Sequence, residues 1–144
     1  GDSFLLAVKA ARDMNLSIVP VVSEEYELLG VISEDDLFKQ LSLFVGVEEQ
    51  GGIIVLEMEK SDFSAGELNR LVESNDAYIT QLNSYLDPVT QILSITLRIN
   101  KSEISDIVAT LQRHEYNIRY YFGEELYQNE LQNNLVHLMN YLNI

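Results

Sequence analysis

Gly30-Val31-Ile32-Ser33-Glu34-Asp35-Asp36-Leu37 decides how the first third of this chain is read. The stretch follows a β-branched apolar run, Ile18-Val19-Pro20-Val21-Val22, at the distance of one hairpin. A strand ends at Ile32, a hydroxyl sits at the turn, and a carboxylate stands three residues on where a helix begins. Ser33 and Asp36 in that spacing form a helix-capping box. The same corner also offers a small ligand backbone N–H groups, a hydroxyl that donates and accepts, and a carboxylate able to hold a diol. Both readings, capping alone and a ligand corner, stay open on the residues.

Outward from that corner, Ser3 caps a helix over Phe4 to Met14, with Leu5, Val8 and Ala11 on one face. Leu16 to Val22 reads as a buried strand, with Pro20 marking an edge or a ligand-facing backbone. Ser23 to Glu27 is a polar turn, Leu28 to Ile32 the returning strand, and Glu34 to Phe44 a second helix. The order is αββα. Residues 3–44 resemble most of one CBS motif, the cystathionine-β-synthase type of adenosyl-ligand sensor. Gly30, Ser33 and Asp36 match its Gly-hydrophobic-hydrophobic-Thr/Ser-x-x-Asp signature, and Val19-Pro20-Val21-Val22 matches the strand before it. The resemblance implies a ligand site at Gly30, Ser33 and Asp36 with the backbone of Val19, Pro20 and Val21. It implies an adenosyl ligand such as AMP or S-adenosylmethionine. A complete motif begins with one more extended segment, and its site is completed by a pseudo-twofold partner. The chain starts at Gly1-Asp2-Ser3 rather than Met and so reads as a fragment. Glu34, Asp35 and Asp36 put three carboxylates where a phosphate would sit, which disfavours a polyphosphate without a metal or a basic neighbour.

Residues 1–46 therefore form the partial CBS motif, and Val47-Glu48-Glu49-Gln50-Gly51-Gly52 a linker with two flexible glycines. Beyond it Ile53 to Glu59 is strand-like. Ser64-Ala65-Gly66-Glu67 is a capping box opening a helix through Leu68, Leu71 and Val72. Tyr78 to Leu86 and Ile92 to Ile99 are strands joined at Asp87-Pro88, and Leu93, Ile95, Leu97 and Ile99 alternate with polar residues. Asn100 to Glu103 caps a helix whose Ile104, Ile107, Val108 and Leu111 share a face, and Tyr116 to Phe122 closes as a strand. This βαββαβ order is ferredoxin-like. Over residues 53–122 it resembles an ACT domain, an amino-acid-sensing regulatory module. The chain departs from that pattern where ACT domains carry Asp-Arg-Pro-Gly, because Ser61-Asp62-Phe63-Ser64 stands there, with bulky Phe63 near the glycine's place. Residues 123–144 read as a C-terminal helix with Leu131, Leu135, Leu138 and Leu142 along one seam. The expected class is α+β.

Composition narrows the function. A chain of 144 residues with 47% apolar and 22% charged residues is an ordinary globule of one or two small domains. A net charge of −14 with scattered basic residues argues against nucleic acid and anionic membranes as partners. The absence of cysteine removes thiolate chemistry and fits a reducing, cytoplasmic setting. No residue set assembles a catalytic centre or a metal site. The expectation is a non-catalytic, homodimeric regulatory protein, with a purely structural dimerisation module as the alternative.

Overall fold

A computed structural model of the chain describes residues 3–123 together with 135–136, 138–140 and 142. The chain divides into two units, residues 1–49 and 50–144.

In the first unit, helix α1 spans Phe4–Met14, capped by the Ser3 hydroxyl, which accepts from the Leu5 N–H. Asn15 ends it in the left-handed conformation, and the Leu16 N–H turns back to the Ala11 carbonyl. That bond keeps Leu16 and Ser17 out of the expected strand, so β1 begins at Ile18 and runs to Val22. It pairs antiparallel with β2, Leu28–Ser33, through a turn in which the Ser23 hydroxyl accepts from the N–H groups of Glu25 and Glu27. Helix α2, Glu34–Val45, follows directly and ends at left-handed Gly46. Leu37 is the one large apolar side chain of this unit that is buried among the described residues.

The second unit holds β3 (Ile53–Glu59), a 3-10 turn at Lys60–Asp62, α3 (Ala65–Glu73), β4 (Ile79–Leu86), β5 (Ile92–Ile99), α4 (Ser105–Arg113) and β6 (Asn117–Phe122). Its sheet has the order β4-β5-β3-β6 with every pair antiparallel, a split βαβ arrangement. The alternation along β5 buries Leu93, Ile95, Leu97 and Ile99 on one face, beside Ile54 and Leu56 of β3. Leu68, Leu71 and Val72 of α3 and Ile107, Val108 and Leu111 of α4 close the core from their apolar stripes.

Several boundaries differ from the sequence reading for local reasons. The Tyr78 N–H is taken by the Asn100 side-chain oxygen at 2.7 Å, and the Tyr116 N–H closes α4 on the Leu111 carbonyl, so each flanking strand starts one residue later. Asn100 thus serves β4 rather than α4. The α4 amide at Ser105 is instead met by the Glu103 carboxylate, which the Ser105 donors hold below the usual carboxylate range. The glycines at 51 and 52 are not a flexible hinge. The Gly52 N–H donates to the Lys101 carbonyl at 2.9 Å, and its own carbonyl accepts from Ile99 at 2.8 Å. A Cβ on Gly51 would lie 2.1 Å from the Ile99 carbonyl oxygen, and one on Gly52 would strike Ile104. Both are close-approach glycines inside the second unit. The expected C-terminal helix falls largely outside the described residues; those described, such as Leu135, Leu138 and Leu142, are helical and exposed.

Ser64 caps α3 by accepting from the Glu67 N–H at 3.2 Å, but Glu67 does not complete the box. Its carboxylate accepts from the Tyr116 hydroxyl at 2.9 Å instead, tying α3 to the start of β6. Burial first, then that bond, pushes the Tyr116 phenol from 10.0 up to about 12. A raised acid favours the folded state fully below the unfolded value and loses that contribution as pH rises through the folded one. Alkaline denaturation should therefore lose stability between about pH 10 and 12. The Tyr116→Phe variant should lack this component when unfolding is followed against pH by far-UV circular dichroism.

Candidate functional site

Ser33 is both the last residue of β2 and the N-cap of α2, so strand and helix meet at its backbone. Its hydroxyl accepts from the Asp36 N–H at 3.1 Å, and the Asp36 carboxylate accepts from the Ser33 N–H at 3.3 Å. The Glu34 N–H donates to the Ser17 carbonyl at 3.0 Å. Much of the donor capacity that makes a helix start attractive to an anion is therefore satisfied within the unit. Three carboxylates in the same first turn add negative charge there. The corner does not favour an isolated phosphate. A neutral or cationic group suits it better.

The other sequence-derived residues lie along the hairpin. Ser33 is paired with Ile18, Val19 with Ile32, Pro20 with Val31 and Val21 with Gly30. Gly30 and Val21 are thus three residues up the ladder from Ser33, roughly 10 Å at strand rise. A Cβ on Gly30 would meet nothing within 4 Å, so no packing inside the chain calls for glycine there. Gly30 instead borders a β-bulge, since the register shifts between Val21 and Val22 and leaves Leu29, next to Gly30, as the extra residue.

Alternation puts Ile18, Pro20 and Val22 with Val31 and Ser33 on one face of the hairpin. Apart from Ser33 at its end that face is apolar, and it is exposed, with Val31 at 59%. An antiparallel ribbon with one wet face ordinarily shows polar residues on it.

A cavity of about 380 Å³ lies between α1 and α2, with Val8, Ala11, Leu16, Leu37 and Leu41 among its apolar walls and Phe38 at its edge. Arg12, Asn15 and Glu34 supply its polar groups, and its walls include none of Ser33, Asp36, Gly30, Val19, Pro20 or Val21. Sequence reasoning identified the α1 stripe but passed over Phe38 and Leu41, whose signal is their i, i+4 relation to Glu34 and Leu37.

In the second unit Phe63 packs against the core, in the region where the ACT pattern has its glycine. His114 ends α4 with its Nδ1 at 2.9 Å from the Thr110 carbonyl, and His137 lies outside the described residues. Among the described residues no group of three His, Cys, Asp or Glu side chains is placed to hold a metal ion, and no helix is long and apolar enough to cross a membrane.

No family model matches the chain, and no curated protein matches it. Among solved structures, the crystal structure of protein BT0572 from Bacteroides thetaiotaomicron aligns over 82% of this chain and 83% of that chain, with 9% identity and a TM-score of 0.37. A likeness at that level carries no functional reading.

Proposed function

We propose that this chain is a non-catalytic regulatory protein that works as a homodimer, with a CBS-like sensing unit joined to an ACT-like dimerisation unit of ferredoxin-like order. One observation carries the reading. The first unit buries a single large apolar side chain, Leu37, while Ile18, Val22, Val31 and Phe38 stay exposed. A unit this small with so little core needs a covering surface. A site on the open hairpin beside Gly30 then becomes complete when that surface arrives. The ligand expected from the sequence resemblance is an adenosyl compound, AMP or S-adenosylmethionine, whose neutral ribose diol Ser33 and Asp36 would hold against the Val19–Val21 backbone, with any phosphate directed away from the three carboxylates. Its regulatory effect is bounded by its differential affinity for the two arrangements it selects between. With Gly51 and Gly52 fixed inside the second unit, any such bias is transmitted without a glycine hinge.

The reciprocal capping bonds of Ser33 and Asp36 favour a second reading, a purely structural dimerisation module whose ligand corner serves only α2. Calorimetric titration of the whole chain with AMP and with S-adenosylmethionine separates the two. On the sensing reading one of them binds saturably, and the Ser33→Ala, Asp36→Ala double variant loses at least tenfold in affinity. On the structural reading neither binds, and the double variant only loses stability, by about 1–2 kcal/mol for the lost caps.

A further inference from the structure

We propose that the chain's own C-terminal segment, following Gly123, packs across the sheet face of the second unit that α3 and α4 leave uncovered, with Val55 at the centre of the contact. This goes beyond the sensing and dimerisation reading and does not depend on it. Strand register defines the face. Ile53 and Val55 of β3 share it with Thr96 and Arg98 of β5 and with Tyr120 and Phe122 of β6. Ile54, Leu56 and Leu97 alternate with these and belong to the core that the helices close. Val55 is no part of that core, yet only 4% of its surface is exposed. A valine on the wet face of an antiparallel sheet has water above it, so burial this complete calls for a covering group. Arg98 and Phe122, on the same face, are half-buried and each engaged in an interaction.

Chain path and chemistry name the occupant. β6 is an edge strand, and its last residue, Phe122, meets Tyr120 edge-on on this face. Gly123 fixes the point of departure, because a Cβ there would come 2.7 Å from the Ser102 carbonyl oxygen. As the helix that the sequence predicts, residues 124–134 would span about 16 Å. The outer strands of a four-stranded sheet lie roughly 15 Å apart, so the lengths match. Glu124, Tyr127 and Leu131 stand at i, i+3 and i+7 and so share one side of such a helix. They offer a carboxylate to Arg98, a ring to the Tyr120–Phe122 pair and an apolar side chain to Val55. The consequence for function is that this face is filled from within the chain. A partner then reaches the second unit through its helices or its strand edges.

Cross-linking of the whole chain tests this, since it has no cysteine and introduced thiols report alone. Thr96→Cys lies beside Val55 in the ladder. Combined with Leu131→Cys and treated with a short bis-maleimide at low micromolar concentration, it should link within one chain, as read by gel mobility and peptide mapping. Thr96→Cys with Leu142→Cys, at a position 70% exposed, should link at least tenfold more slowly. Equal rates, no link, or a link between two chains would each overturn the proposal, the last giving the face to a second copy. Hydrogen exchange on the unsubstituted chain guards against a variant that misfolds. Amides of residues 124–134 should exchange at least 100-fold more slowly than in an unstructured chain, and exchange at the unstructured rate would also overturn it.

Discussion

Alanine at Gly51 is expected to destabilise the second unit by about 3 kcal/mol, the upper range for forcing extra atoms into a packed site. The position leaves no room to relax. The new Cβ would fall 2.1 Å from the carbonyl oxygen of Ile99, and that oxygen belongs to a sheet strand rather than to a side chain that can swing aside. Gly52, next in sequence, is tied on both sides by backbone hydrogen bonds to Lys101 and Ile99, so the segment cannot slide to make space. The measurement is urea denaturation followed by circular dichroism: the midpoint should fall with an unchanged slope. A flexible linker glycine would tolerate alanine with a small gain in stability from the stiffer unfolded chain. An unchanged or higher midpoint would therefore restore the hinge reading.

Truncating Ile95 to alanine is the other change of this size. Ile95 is fully buried at the middle of β5, between β3 and β4, and faces the two helices. Removing three of its carbons takes away their burial and leaves a cavity that a strand hydrogen-bonded on both sides closes poorly. The loss should be about 3–4 kcal/mol, and Ile95→Val should cost about 1. For a unit of this size the larger loss lowers the thermal midpoint by roughly 15 °C. Scanning calorimetry of both variants checks the ratio as well as the size. If Ile95→Ala cost no more than Ile95→Val, the packing around β5 would not be as described.

How far the sequence could be read depended on whether a pattern had one physical meaning. The run Leu93, Ile95, Leu97, Ile99 has a period of two that only a half-buried strand satisfies, and β5 occupies Ile92–Ile99 as expected. The stripe of Ile107, Val108 and Leu111 likewise has one helical meaning. Ser33 and Asp36 were legible as a cap, and the bonds between them are there. Ambiguity arose where one residue type serves two opposite ends. Gly51-Gly52 reads the same whether glycine is there for freedom or because a neighbour leaves no space for a Cβ, and only the positions of Ile99 and Ile104 decide. Asn100 and Glu103 both looked like caps for α4, but Asn100 is drawn to the distant Tyr78 amide, a partner that no local window contains. The cavity between α1 and α2 depends on which way two helices lean, and residue spacing does not encode that lean.

The order of β4-β5-β3-β6 has a further consequence for how the chain comes off the ribosome. Of the two interior strands, β3 is the first of the four to be made, yet its ladder partners lie far downstream. Ile53 pairs with Arg98 on one side and with Phe122 on the other. Contacts so distant in sequence close slowly, because the intervening loop must be ordered before pairing rewards it. During synthesis Ile53-Ile54-Val55-Leu56 is an apolar, β-prone segment with one edge unpaired until Ile92–Ile99 has emerged and the other until Asn117–Phe122 has. Glu57 and Glu59, charges at the end of that same strand, act as gatekeepers against its pairing with another nascent chain.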